Sequence, residues 1–179
     1  MIRILTAVLG LSVFLACAGA HIITPSLPRF HQYSDNLATA GQPSNSQFNE
    51  IRQAGYELVI NLSPANLPGA PRNEQQLVES AGMKYVHIPV DWDKPSLDDL
   101  SRFFDIMDRN KDHKVLVHCW LNARSSAFVY SFRTLRESMP DEPEREVLTK
   151  IWNANRGFEL HAAPQWLEFL NAARQRFAK

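Results

Sequence analysis

The chain has 179 residues, of which 45% are hydrophobic and 21% are charged. Its 19 basic residues balance its 19 acidic residues, which gives a formal net charge of zero. This length fits one ordinary domain with a sizeable core. A neutral chain without a basic run has little long-range attraction for polyanions, so we expect no nucleic-acid partner.

The first twenty residues have the three parts of a secretory signal peptide. A short positive region ending at Arg3 is followed by a thirteen-residue apolar run, Ile4–Ala16, and then by the small-x-small site at residues 18–20. A bilayer span needs roughly 17 to 25 apolar residues, so this run is too short to be a membrane helix. We predict cleavage after Ala20, a periplasmic or secreted protein, and no membrane span after cleavage.

The chain contains two cysteines, Cys17 and Cys119. Cys17 leaves with the signal peptide, unless it anchors a lipoprotein, which is the alternative reading. Cys119 is then alone in a compartment where disulfides normally form, and it has no partner for an internal bridge. A lone cysteine is most often buried, where it packs as a small apolar residue. A reactive thiol is the other possibility.

The predicted elements begin with an irregular lead-in over residues 21–36, and we assign residues 37–179 to one domain. A capping-box pattern at Ser44–Gln47 starts a helix that ends at Gly55. Residues 56–62 are predicted to form a buried strand, which is followed by a proline- and glycine-rich loop over residues 63–71. Such a position, after the carboxyl end of a strand, is where open α/β sheets build their sites.

The rest of the chain alternates helices with strands and then becomes helical. A helix over residues 73–81, closed by Gly82, leads to a strand over residues 84–90, and Pro95-Ser96 opens the next helix. The short apolar run at 114–118 is typical of a central parallel strand. The last predicted helices cover residues 124–137, 142–153 and 164–177. This order predicts a layered α/β/α domain with a mostly parallel central sheet.

Residues 119–123 form the predicted tight turn between the last strand and the helix that begins at Arg124. A strand-to-helix turn directs successive backbone N–H groups toward one point, at the positive end of the helix dipole. The sequence therefore predicts an anion-binding cradle. We expect its N–H donors to come from the following loop residues: Trp120, Leu121, Asn122 and Ala123.

The side chains around this cradle suggest nucleophilic chemistry. The N–H groups and the dipole should stabilise the thiolate of Cys119, and the planar guanidinium of Arg124 suits two oxygens of a phosphate-like dianion. Ser125 could donate a hydrogen bond to the sulfur when it leaves a covalent intermediate. Because the loop has no glycine, Asn122 is the natural residue for a positive φ. We expect His118 to orient the loop.

These motifs carry a resemblance. A strand ending in His-Cys, a short loop and then Arg-Ser opening a helix is similar to the phosphate-binding loop of the cysteine-dependent protein tyrosine and dual-specificity phosphatases. The sequence around residues 37–136, including Thr39–Ser44 and Tyr85–Trp92, resembles a bacterial phosphatase-like family of that superfamily. That family includes the domain fused to β-lactamase-like hydrolases. The resemblance implies a protein tyrosine phosphatase-like fold.

The resemblance also implies an aspartate that protonates the leaving oxygen, about 25 to 35 residues before the cysteine. Asp91 lies 28 residues before Cys119, and Asp93 lies 26 before it. Asp91 is the first choice, because it follows the Ile-Pro-Val run and precedes Pro95 by four residues, as the acid does in relatives. The superfamily typically has five residues between cysteine and arginine, whereas this chain and the bacterial family have four.

The predicted function is an exported phosphatase that acts on phosphate monoesters of a protein or a small molecule through a phosphocysteine. Rhodanese-like sulfurtransferases have active loops of the shorter size, so sulfur transfer through a Cys119 persulfide is one alternative. A non-catalytic phosphate-binding module is the other. We expect no metal or other cofactor, and an accessible thiol whose activity depends on added reductant. The sequence does not specify the substrate or the oligomeric state.

Overall fold

The computed structural model describes residues 24–64, 67, 70–155 and 157–178. The predicted signal peptide, its cleavage after Ala20 and the lipoprotein alternative at Cys17 lie outside the described residues. Within the described ranges, no helix has both the length and the apolar character needed to cross a membrane.

Five strands form one sheet with the order β1-β2-β5-β3-β4. All neighbouring strands are parallel except β1 and β2, which are antiparallel, so the predicted mostly parallel sheet is confirmed. The strands are β1 (His31–Ser34), β2 (Leu37–Ala40), β3 (Leu58–Asn61), β4 (Lys84–His87) and β5 (Val115–His118). β5 lies at the centre of the sheet and is fully buried, which brings its carboxyl end between β2 and β3.

Helices cover both faces of the sheet, and the layered α/β/α prediction is confirmed. The helices are α1 (Gln47–Gln53), α2 (Glu74–Ser80), α3 (Leu97–Arg109), α4 (Ala123–Leu135), α5 (Asp141–Asn153) and α6 (Pro164–Phe177). On one face, Phe48 and Val78 from α1 and α2 belong to a core with Val59 and Leu116. The larger core on the other face gathers side chains from α3, α4, α5 and α6 around the alternate residues of β3 and β5. Because successive strand residues point to opposite faces, each central strand contributes to both cores.

The irregular lead-in predicted for residues 21–36 is wrong over β1. Strand β1 pairs with β2 at the edge of the sheet, and its residues alternate between half-buried and exposed. The sequence His-Gln-Tyr-Ser gives little apolar signal because only one side of this edge strand meets the core. Strand β2, with the sequence Leu-Ala-Thr-Ala, is fully buried between β1 and β5. It was not predicted, because its small side chains give only a weak strand pattern.

Candidate active site

The turn between β5 and α4 contains the predicted cysteine loop. Asn122 precedes the first residue of α4 and has a φ of 64°, so the predicted left-handed residue is confirmed. Its side-chain Nδ2 donates a 2.7 Å hydrogen bond to the backbone oxygen of Arg29. Asn122 therefore combines the required backbone conformation with an anchor to the segment that precedes β1.

The residues directly after β2 hold the other side of this loop. Gly41 forms an isolated β-bridge with Leu121, and the N–H of Gln42 donates to the carbonyl oxygen of Trp120 at 3.1 Å. A Cβ at Gly41 would lie 3.0 Å from that same carbonyl oxygen, which is tighter than most Cβ contacts and would require the backbone there to shift slightly. The glycine therefore permits the close approach of β2 to the cysteine loop.

The backbone N–H groups at the start of α4 are available to a ligand. The first backbone hydrogen bond of the helix runs from the N–H of Ser126 to the oxygen of Asn122, at 3.1 Å. The N–H groups of residues 123–125 precede this ladder and have no acceptor within the helix. This geometry suits the predicted cradle, whose binding of an anion stays a prediction.

Cys119 and Arg124 lie together at the base of the turn, and both are buried. Burial lowers the pKa of Arg124, while the neighbouring groups of Cys119, Asp91 and Asp93 each act to raise it. The arginine Nε donates to the backbone oxygen of Val90 at 3.0 Å. Its guanidinium carbon lies 5.1 Å from the centre of the Trp92 ring. The fold thus brings the predicted nucleophile, cation and both candidate acids to one place.

The predicted accessibility of the thiol is wrong, because the relative exposure of Cys119 is 0%. The sulfur lies beneath the loop, between the end of β5 and the start of α4, and belongs to the larger hydrophobic core. A loop that closes around an anion site also shields the atom at its base.

The loop after β4 carries the two candidate acids, and both are exposed. The Oδ1 atom of Asp91 accepts hydrogen bonds from the backbone N–H of Asp93 at 2.7 Å and of Lys94 at 3.0 Å. These two bonds hold the pKa of Asp91 below its usual range. Asp91 therefore shapes the turn on which Asp93 lies.

His118 is held by a residue that sequence reasoning missed. Its Nε2 donates to the Oε1 of Glu74 at 2.9 Å, and both side chains are buried. The Glu74 carboxylate also accepts from Asn61 at 2.8 Å and from Gln42 at 2.6 Å. The sequence offered one signal for Glu74, an acidic residue in the first turn of an amphipathic helix, and that pattern is usually exposed.

Ser125 and Trp120 are two further residues of the predicted site. The Oγ of Ser125 is buried and has no hydrogen-bond partner in the described part of the chain, so its bond to a leaving sulfur stays a prediction. The side chain of Trp120 is 42% exposed. It therefore does not belong to the core beneath the loop.

The mostly parallel sheet, with a cysteine and an arginine on its central strand-to-helix turn, agrees with the fold of solved cysteine-dependent phosphatases. A family model described as "DSP-PTPase phosphatase fused to NAD+ Kinase" matches residues 30–162, well over half of the chain. The chain belongs to this family of protein tyrosine and dual-specificity phosphatase-like hydrolases. The match begins at residue 30, directly before β1, so it includes the last part of the predicted lead-in. No curated protein matches the sequence.

Solved structures agree with this assignment. A DUF442 protein from Shewanella putrefaciens CN-32, described as a candidate phosphatase, is 35% identical, with 86% of this chain and 93% of that chain covered and a TM-score of 0.77. A candidate phosphatase from Neisseria meningitidis is 23% identical over 82% of this chain and 99% of that chain, with a TM-score of 0.59. TpbA from P. aeruginosa is 13% identical over 88% and 94%, with a TM-score of 0.64. The last two show the shared fold alone.

Proposed function

We propose that this chain is an exported phosphatase that hydrolyses phosphate monoesters through a phosphocysteine at Cys119. The observation that carries the proposal is that Arg124, five residues after Cys119 on the same turn, donates to the Val90 carbonyl at 3.0 Å and lies over the Trp92 ring, so it contacts the loop that carries Asp91 and Asp93. Such a set supplies a nucleophile, a cation for the phosphoryl oxygens and a proton donor. Family membership supports a phosphorylated substrate.

The reaction has two balanced steps. The sulfur of Cys119 attacks phosphorus, the bond to the leaving oxygen breaks, and an aspartic acid gives that oxygen its proton. A water then attacks phosphorus, the aspartate takes a proton from the water, and the S–P bond breaks to return the thiolate and release phosphate. Arg124 and the N–H groups at the start of α4 hold the remaining phosphoryl oxygens through both steps.

The loop after β4 that carries Asp91 and Asp93 is called the acid loop here, and its geometry indicates which aspartate is the proton donor. A donor must carry its proton when the substrate binds, whereas the two backbone N–H bonds to Asp91 favour its ionised form. This supports Asp93 as the donor and Asp91 as the residue that holds the turn, the reverse of the order suggested by sequence. Asp93→Asn should then cost more turnover than Asp91→Asn, and the opposite order would restore Asp91 as the donor.

The nature of the phosphorylated substrate also belongs to the proposal. A structure of P. aeruginosa TpbA is described as a complex with pTyr. An aryl phosphate is therefore the first probe to use here, with a phosphotyrosine peptide and a phosphoserine peptide beside it. Faster phosphate release from the phosphotyrosine peptide would support an aryl specificity, and equal rates would support a dual one.

Export is proposed from the sequence of residues 1–20. The test is fractionation of cells that express the full chain or a chain beginning at His21. Export predicts that the full chain is found outside the cytoplasm with residues 1–20 removed, and that the shortened chain stays inside. Retention of residues 1–20 on a cytoplasmic protein would refute it, and lipid attached at Cys17 would establish the lipoprotein alternative.

One assay separates phosphatase chemistry from the two alternatives. Purified wild type, Cys119→Ser and Arg124→Lys are each tested for phosphate release from 4-nitrophenyl phosphate and for sulfur transfer from thiosulfate to cyanide. We expect the wild type to release phosphate without transferring sulfur, and both variants to release far less phosphate. Cys119→Ser loses the nucleophile, and Arg124→Lys loses activity because lysine cannot reproduce the two-pronged arginine contact. Sulfur transfer without phosphate release would establish the sulfurtransferase, and phosphate binding without either activity would establish the binding module.

A further inference from the structure

The backbone carbonyl of Trp92 connects the acid loop to helix α6. Trp92 lies between Asp91 and Asp93, so its carbonyl group is part of the backbone that carries both candidate proton donors. The indole Nε1 of Trp166 donates to this oxygen at 3.1 Å, and the side-chain Nε2 of Gln165 lies 3.4 Å from it. Both donors come from the first turn of α6, more than seventy residues away in sequence.

The Trp92 ring, like its carbonyl group, is held by contacts with the C-terminal part of the chain. It stacks on Trp152 with 5.6 Å between ring centroids and an angle of 24°, and it packs against Trp166 at the same centroid distance. Phe158 meets its edge at 5.6 Å. The guanidinium of Arg124 also lies over the Trp92 ring. The C-terminal helices thus hold a residue that contacts the predicted phosphate-binding arginine and lies between the two candidate acids.

Proton transfer to a leaving oxygen depends on the donor lying within hydrogen-bond reach of that oxygen. A displacement of about 1 Å is enough to lower the rate by about two orders of magnitude. Exposed loop carboxylates such as Asp91 and Asp93 hold a fixed position only if the backbone beneath them is fixed. The hydrogen bonds to the Trp92 carbonyl supply that restraint from a fully buried side chain, Trp166.

We propose that Trp166, assisted by Gln165, is a positioning residue for the proton donor, acting through its N–H bond to the Trp92 carbonyl. This inference rests on the proposed phosphatase function and holds for either aspartate as the donor. It assigns a role to the C-terminal helix, whose sequence carries no motif for catalysis. Trp166 itself does not touch the reacting atoms.

The chain offers a matched control in Trp152. Like Trp166, Trp152 is fully buried and its ring lies 5.6 Å from that of Trp92. Its indole N–H, in contrast, is buried without a hydrogen-bond partner among the described residues. Changing either tryptophan to phenylalanine removes a similar volume of the same aromatic cluster, but only Trp166→Phe removes a bond to the acid loop.

The experiment compares two aryl phosphates in the wild type, Trp166→Phe and Trp152→Phe. The 4-nitrophenolate of 4-nitrophenyl phosphate leaves without much need of a proton, whereas the phenolate of phenyl phosphate needs one. We expect Trp166→Phe to lower turnover of phenyl phosphate about tenfold more than turnover of 4-nitrophenyl phosphate, a part of the 10² to 10⁴ that general acid catalysis contributes. Trp152→Phe should lower both rates by the same factor.

A Trp166→Phe enzyme that slows both substrates equally, or a Trp152→Phe enzyme with the same selective loss, would overturn the inference while leaving the phosphatase intact. A wild type that hydrolyses neither ester would refute the proposed function and the inference with it. If circular dichroism shows that Trp166→Phe does not fold, Gln165→Ala replaces it, with the exposed Gln175→Ala on the same helix as control. A selective loss on phenyl phosphate in Gln165→Ala, and none in Gln175→Ala, supports the inference, and equal behaviour of the two overturns it.

Discussion

Glu74 and His118 are joined in the interior by a 2.9 Å hydrogen bond from the imidazole Nε2 to the carboxylate Oε1. The glutamate comes from the first turn of α2 and the histidine from the last residue of β5, directly before Cys119. Because Asn61 and Gln42 donate to the same carboxylate, it connects the carboxyl ends of three elements: β2, β3 and β5. This buried carboxylate supports the strand end from which the cysteine turn begins.

Removing the Glu74 carboxylate should lower stability much more than the removal of an exposed glutamate from a helix surface. Glu74→Ala removes the acceptor of three donors, of which those of His118 and Asn61 are buried, so we expect a loss of about 3 to 5 kcal/mol in the free energy of unfolding. Urea denaturation followed by circular dichroism measures it. The control is Glu79→Ala, an exposed glutamate on the same helix, which should change stability by about 0.5 kcal/mol or less. Equal losses in the two variants would contradict the account.

The same carboxylate should make stability depend on pH. Burial by itself would raise the pKa of Glu74, but the hydrogen bond and charge of His118, with the bonds from Gln42 and Tyr85, outweigh it and lower the pKa. A carboxylate with a lowered folded-state pKa stabilises the protein above its ordinary pKa, and this contribution is lost as the pH falls through the folded-state value. The stability advantage of the wild type over Glu74→Gln should therefore be constant at neutral pH and shrink as the pH falls below the ordinary pKa of glutamate, about 4.3. Parallel stability curves would contradict this.

The sequence predicted the parts of the site that depend on neighbouring residues. The apolar run of β5, the helix after it and Asn122 lie within a few positions of Cys119, so their geometry follows from local rules. The supporting contacts join distant parts of the chain: 44 residues separate Glu74 from His118, and 74 separate Trp92 from Trp166. No local pattern specifies such pairs. The edge strand β1 was missed for a similar reason, because only its pairing with β2 makes it a strand.

Two substitutions at Asn122 should separate its backbone role from its side-chain role. Asn122→Gly keeps easy access to a φ near 64° but loses the hydrogen bond to the Arg29 carbonyl, whereas Asn122→Ala loses both. The left-handed conformation costs a residue with a Cβ about 1 to 2 kcal/mol. We expect Asn122→Ala to be less stable than Asn122→Gly by about 1 kcal/mol in urea denaturation. A more stable alanine variant would show that the turn does not keep this conformation.

The burial of Cys119 predicts slow reaction with reagents in solution. In a chain beginning at His21, Cys119 is the one cysteine, so alkylation by iodoacetamide reports on it alone. We expect modification of the folded protein to be far slower than modification in urea, and the activity to depend only weakly on added reductant. Mass spectrometry of timed samples measures the rates. Equal rates in the folded and unfolded protein would show that the sulfur is open to solvent.

A phosphocysteine mechanism requires a covalent intermediate at Cys119, and trapping that intermediate tests it most directly. Wild type and Asp93→Asn are mixed with 4-nitrophenyl phosphate, quenched within milliseconds and digested, and the peptide that contains residue 119 is examined by mass spectrometry. We expect a phosphoryl group on Cys119 in both proteins and none in Cys119→Ser. We also expect a higher level in Asp93→Asn, because the activation of water is impaired while the leaving group needs little protonation. Phosphate release by the wild type without a phosphoryl group on Cys119, or undiminished release by Cys119→Ser, would contradict this mechanism.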